Sequence, residues 1–89
     1  MAVEFVGTDP NSRNGQSPAV FVDPDRRELV LQGWDASPEL IFEVEKVFSP
    51  VPDHESVIRI PERMIPFLRQ AMGRLEALGG PDFDSSGRA

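Results

Sequence analysis

Apolar and polar positions separate most clearly between residues 19 and 32. Ala19-Val20-Phe21-Val22 is followed by the polar run Asp23-Pro24-Asp25-Arg26-Arg27, and then by Glu28-Leu29-Val30-Leu31-Gln32. Two β-rich runs around a Pro-Asp turn predict a hairpin, because Pro24 presets φ and Asp25 suits the next turn position. Val20 and Val22 fall on one face, Ala19 and Phe21 on the other, and Leu29 and Leu31 oppose Val30. Apolar residues on both faces predict a sheet that is covered on at least part of its second side.

After Gly33 and Trp34 the period changes. Ser37 can accept a hydrogen bond as N-cap, Pro38 fits the first helical position and Glu39 suits the positive helix end. A helix from about Pro38 to Val47 places Leu40, Val44 and Val47 on one stripe, with Ile41 and Phe48 beside it. The same residues also alternate as a strand would, and the start signal favours the helix. Ser49-Pro50-Val51-Pro52-Asp53 ends it, since two prolines remove two donors. Ser56 to Ile60 reads as a short strand stopped by Pro61. From about Glu62, Met64, Leu68, Ala71, Leu75 and Leu78 recur at helical spacing up to Gly79-Gly80-Pro81. Pro66 either sits in the first turn or kinks this helix.

Residues 7–18 carry three turn signals, Asp9-Pro10, Asn14-Gly15 and Ser17-Pro18, and read as a loop. Val3, Phe5 and Val6 before them are enough for one short strand. The expected organisation is therefore a loop-rich segment over 1–18, a single α+β domain over 19–80 and a disordered tail over 81–89. The domain is expected to be roughly ββαβα, a small three-stranded antiparallel sheet with a hairpin and two helices on one face.

Composition narrows the possible functions. Eighty-nine residues make one domain at most, and the absence of cysteine removes disulfides, thiolate chemistry and Cys-ligated zinc. The hydrophobic share, 39%, suits a small folded body with loose ends. The start of the chain lacks the basic and apolar regions of a signal peptide, and no segment nears the ~18 apolar residues that cross a bilayer. These features predict a cytoplasmic protein that does not engage membranes.

Fifteen acidic residues against nine basic ones leave a formal charge of −6, which argues against direct binding of nucleic acid. The acids fall mainly in turns and on the first helix, whereas the last strand and final helix hold Arg59, Arg63, Arg69 and Arg74. An Arg-bearing final helix reading DNA directly is the alternative function. The Ser49–Pro61 segment nevertheless holds a loop and a strand where a helix-turn-helix needs a short turn.

No catalytic pattern emerges. The glycines fit neither a Walker nor a dinucleotide loop, and the only histidine, His54, has no serine beside it in a strained elbow. Asp53-His54-Glu55 could be read as a metal cluster, but consecutive residues converge poorly on one ion and a second histidine is lacking. No enzyme activity, cofactor or metal is expected.

What remains is interaction. Trp34 either plugs the core or anchors an interface, where tryptophan is enriched. Phe42 lies opposite Leu40 and Val44 on the first helix and needs a cover of its own. The strand Val57–Ile60, with Arg59 in it, offers an edge to a second copy. The candidate partner-binding residues are thus Trp34, Phe42, Val57 and Arg59, and a homodimer is expected.

The runs Asn14-Gly15-Gln16-Ser17-Pro18-Ala19-Val20-Phe21, Leu29-Val30-Leu31-Gln32-Gly33-Trp34 and Glu55-Ser56-Val57-Ile58-Arg59-Ile60-Pro61 resemble small acidic actinomycete proteins. These are encoded beside helix-turn-helix regulators and include the BldB-like group. The resemblance spans about residues 5–70. It implies a regulatory accessory protein that acts by contact with a protein partner, such as a helix-turn-helix transcription factor.

Overall fold

The computed structural model describes residues 2–11 and 17–84. Strands β1 (Glu4–Thr8), β2 (Ala19–Asp23) and β3 (Glu28–Gln32) form one antiparallel sheet in the order β1-β2-β3. Next come β4 (Trp34–Asp35), helix α1 (Pro38–Val47), β5 (Ile58–Arg59), a 3-10 turn at Glu62–Met64 and helix α2 (Ile65–Asp84). Strands β4 and β5 pair with each other as a second, two-stranded sheet. The α+β class, the three-stranded antiparallel sheet, the hairpin and the two helices are those the sequence predicts.

The hairpin closes as its turn chemistry requires. Asp23 pairs with Glu28, and the Asp23 carboxylate accepts the Arg26 N–H at 3.1 Å, which stands in for a backbone turn bond. Arg27 completes the turn at φ 60°, in the left-handed region that only glycine enters without cost.

The third strand is not the one expected. It is Glu4–Thr8, so Gly7 and Thr8 belong to a strand and not to the loop. The short strand offered by Val3, Phe5 and Val6 is thus present and longer: a bulge between Phe5 and Gly7 inserts Val6 and breaks the two-residue period, which hid the continuation through Gly7 and Thr8. The segment containing Val57 to Ile60 does not join the hairpin. Only Ile58 and Arg59 are in β5, and they are already paired with Asp35 and Trp34. The Asn14-Gly15 turn lies outside the described residues.

In the core, Val20 and Val22 of β2 meet Met64 and Ala71, all fully buried, with Val6, Ile60, Phe67, Leu68 and Leu75 packed around them. This is the helical stripe read from the sequence, laid across β1 and β2. Phe67 lies against Gly7, where a Cβ would occupy the place of its ring. Pro66 is the second residue of α2, within the first turn, so its missing N–H costs no helical bond. The helix runs through Gly79-Gly80-Pro81 to Asp84, beyond the stop that run was expected to impose. Residues 85–89 of the expected tail lie outside the described residues.

Two bidentate ion pairs fasten this body. Arg63 donates from Nε and Nη2 to the two carboxylate oxygens of Asp9, at 2.6 and 2.7 Å, and so ties the loop after β1 to the start of α2. Asp9 is fully buried, and its Oδ1 also accepts the Asn11 N–H. Arg74 donates in the same way to Glu4, at 2.8 and 2.7 Å, and joins α2 to β1 at the surface. The hydrogen bonds to Arg74 hold the Glu4 carboxyl below its ordinary pKa.

Candidate interaction surface

Between β3 and the 3-10 turn the chain makes an excursion over residues 33–60. Its two ends meet at β4–β5, where Trp34 pairs with Arg59 and Asp35 with Ile58. Gly33 makes that meeting possible, because a Cβ there would lie 2.6 Å from the Arg59 carbonyl oxygen. The Arg59 guanidinium lies 5.3 Å from the Trp34 ring centre, and its Nε donates to the Asp35 carbonyl at 3.0 Å. A stacked cation over the indole face, with its fork fixed by a backbone bond, sets both side chains in place.

Helix α1 forms the far part of this arm. Its start follows the expected cap: the Ser37 hydroxyl oxygen accepts the Leu40 N–H at 3.1 Å and Pro38 opens the helix. Its packing departs from the expectation that both helices cover one sheet face. Only α2 lies on the sheet, and no residue of α1 is buried.

The partly covered side of α1 faces its own return loop. Val44 and Phe48 line an open groove with Val51, Pro52 and Val57, and Ile41 extends it towards Asp35 and Ala36. Glu45 pins the loop to the helix by accepting the Val51 N–H at 2.9 Å. Phe48, at the groove's rim, is 86% exposed, and outside the groove Phe42 is 63% exposed and Val47 82%. Lys46 reaches over Phe42 at 5.6 Å and pairs with Glu43 at 3.2 Å, which leaves the rest of the ring in solvent.

Of the four residues singled out in the sequence, the structure joins two directly. Trp34 and Arg59 are one stacked pair, and Trp34, 38% exposed, is not a core plug. Val57 lies one residue from β5 and lines the groove, whereas Phe42 stands on a flank of α1 away from it. The helical pattern places Val47 on the apolar stripe and Phe48 beside it, and the structure leaves both exposed. The signal that could have found them is the Ser49–Pro52 run, whose two prolines exclude a sheet strand directly after the helix, so that the return loop held by Glu45 takes that place.

The arm is also where the charge lies. Residues 33–60 contain six acidic residues against Lys46 and Arg59, a net of −4 out of the chain's −6. On the body, Arg63 and Arg74 are both engaged with carboxylates, and Arg69 is the remaining arginine of the expected DNA-reading set on α2. His54 is exposed, with its Nε2 3.9 Å from the Glu55 carboxylate. Among the described residues no group of three or more His, Asp or Glu is placed to hold a metal ion, and no helix is long and apolar enough to cross a membrane.

The chain matches no protein-family model, and it has no significant match among the curated proteins or the solved structures.

Proposed function

We propose that this protein is a non-enzymatic interaction module whose acidic, aromatic arm docks on a protein partner, as an accessory to a DNA-binding transcription factor. The observation that carries the reading is α1: a ten-residue amphipathic helix with no buried residue, and with Phe42, Val47 and Phe48 open to solvent. These side chains lie on different sides of α1 and its C-cap, Phe48, so a partner that encloses the end of the arm gains apolar contact from each of them. The net charge of the arm favours a groove rimmed by Lys and Arg, and a DNA-binding regulator offers such a surface. Direct DNA binding by the final helix finds less support, since two of the arginines expected to lie on it, Arg63 and Arg74, are engaged by carboxylates within the fold.

The test is titration of the chain with a purified helix-turn-helix regulator, followed by Trp34 fluorescence and by amide shifts. Expected is a complex that weakens with salt, with shifts concentrated in residues 34–59 and binding lost in Phe48→Glu. Shifts confined to α2, or binding to duplex DNA in the regulator's absence, would refute the reading.

A further inference from the structure

Among the described residues neither edge of the three-stranded sheet has a strand partner, and the two edges are built differently. At β1 the bulge at Val6 and the Arg74-held Glu4 interrupt a pairing surface, which are ordinary ways of blunting an edge. The β3 edge has none of them: Glu28-Leu29-Val30-Leu31-Gln32 contains no proline, no basic residue and no bulge in its pairing with β2. Every residue of β3 except Val30 is exposed, while its neighbour β2 is buried except at Phe21.

The pattern along β3 is symmetric about Val30. If a second antiparallel copy is set against it with Val30 opposite Val30, Leu29 of each chain meets Leu31 of the other. Glu28 then meets the neutral Gln32, so no like charges are opposed in the five-residue ladder. Centring the pair on Glu28 would instead oppose two carboxylates. Paired residues of an antiparallel ladder share a face, so each face gains a continuous apolar row. On the α2 side, Val22 and Leu29 continue into Leu31 and Val20 of the second copy. On the outer side, Phe5, Phe21 and Val30 continue into Val30, Phe21 and Phe5, and the side of Val30 that now faces the open edge is covered. The half-exposed leucines, Leu29 at 37% and Leu31 at 39%, meet the contact such an arrangement supplies. The acidic arm leaves β3 at Gly33, beside the second copy's turn, where Arg27 is exposed and Arg26 lies 4.0 Å from the Asp23 carboxylate, with Asp25 and Glu28 also exposed.

We infer that the protein pairs with a second copy of itself through β3, forming a six-stranded antiparallel sheet whose two arms leave from opposite ends of the central strand pair. This interface is separate from the arm surface, and the interaction reading above can fail without it. Light scattering across a concentration series tests it. Expected is an approach to twice the 9.9 kDa chain mass, returning to the single-chain mass in the double variant Leu29→Lys/Leu31→Lys and, on the other face, in Val30→Lys. Far-UV dichroism identifies which variants retain the native fold, and either one that does so reads the interface. Mixing Leu29→Lys/Leu31→Lys with Leu29→Glu/Leu31→Glu is expected to restore the doubled mass, because opposite charges then face each other. Phe42→Ala/Phe48→Ala is expected to leave it doubled. A wild-type mass that stays single at all concentrations overturns the inference, as does a dimer that survives the β3 variants or dissociates in the arm variant.

Discussion

Replacing Gly33 by alanine should open the base of the arm and leave the body standing. The added Cβ would lie 2.6 Å from the Arg59 carbonyl oxygen and 3.1 Å from Ile58 Cδ1 and Ile60 Cγ1. Side-chain carbons can turn aside, but the carbonyl belongs to the β4–β5 ladder and moves only with the backbone. Relief of an overpacked contact of this kind costs about 1–3 kcal/mol. The cost falls on β4–β5, because the buried cluster of Val20, Val22, Met64 and Ala71 does not include residue 33. Native-state hydrogen exchange separates the two regions: at ~1.4 kcal/mol per tenfold, ladder amides in β4 and β5 should exchange roughly 5- to 150-fold faster in Gly33→Ala. Amides of β2 should be almost unchanged, and Trp34 emission should move to the red as Arg59 leaves its ring. Equal acceleration throughout the chain would show that arm and body open as one unit, and the reasoning would be wrong. An unchanged β4–β5 ladder would show that the close approach at Gly33 is not a constraint.

Three other substitutions probe the body. Met64→Ala empties a fully buried site between β2 and α2 and should cost about 2–5 kcal/mol in denaturant unfolding, with the arm's own exchange little affected. Arg27→Gly removes a side chain from a left-handed turn position and should raise stability by about 0.5–1 kcal/mol, read as a higher melting temperature. The Glu4 carboxyl is held below its ordinary pKa by Arg74, so it binds protons less readily folded than unfolded. Its contribution is present above the unfolded value and is lost as pH falls through the lowered folded one. Glu4→Gln should therefore flatten the acid limb of stability against pH, and a limb as steep as that of the parent would contradict the role given to the pair.

Much of the fold is legible in local pattern because it is made by local rules. The Asp23–Glu28 turn, the Ser37–Pro38 helix start and the Met64–Leu75 stripe each depend on residues a few positions apart. Strand β1 is legible only as the short run of Val3, Phe5 and Val6, since the bulge at Val6 shifts the face on which Gly7 and Thr8 lie. The Asp9–Arg63 and Glu4–Arg74 pairs join residues 54 and 70 positions apart and leave no short-range signal. At the candidate surface, the residue types at Trp34, Phe42, Val57 and Arg59 marked out the arm. Whether α1 would lie on the sheet or away from it was not in its periodicity, because an amphipathic stripe specifies that a face needs cover and not what supplies it.

The rung at which Trp34 meets Arg59 has a further implication for how this chain can change. Everything between residues 35 and 58 leaves and rejoins the structure at a single place, so lengthening that span adds only a slowly growing closure cost. Insertions and substitutions there need not pass through the tightly packed positions around Met64. Natural variation of the arm, and its replacement in the laboratory by another recognition segment, can therefore proceed with the sheet and α2 as a constant frame.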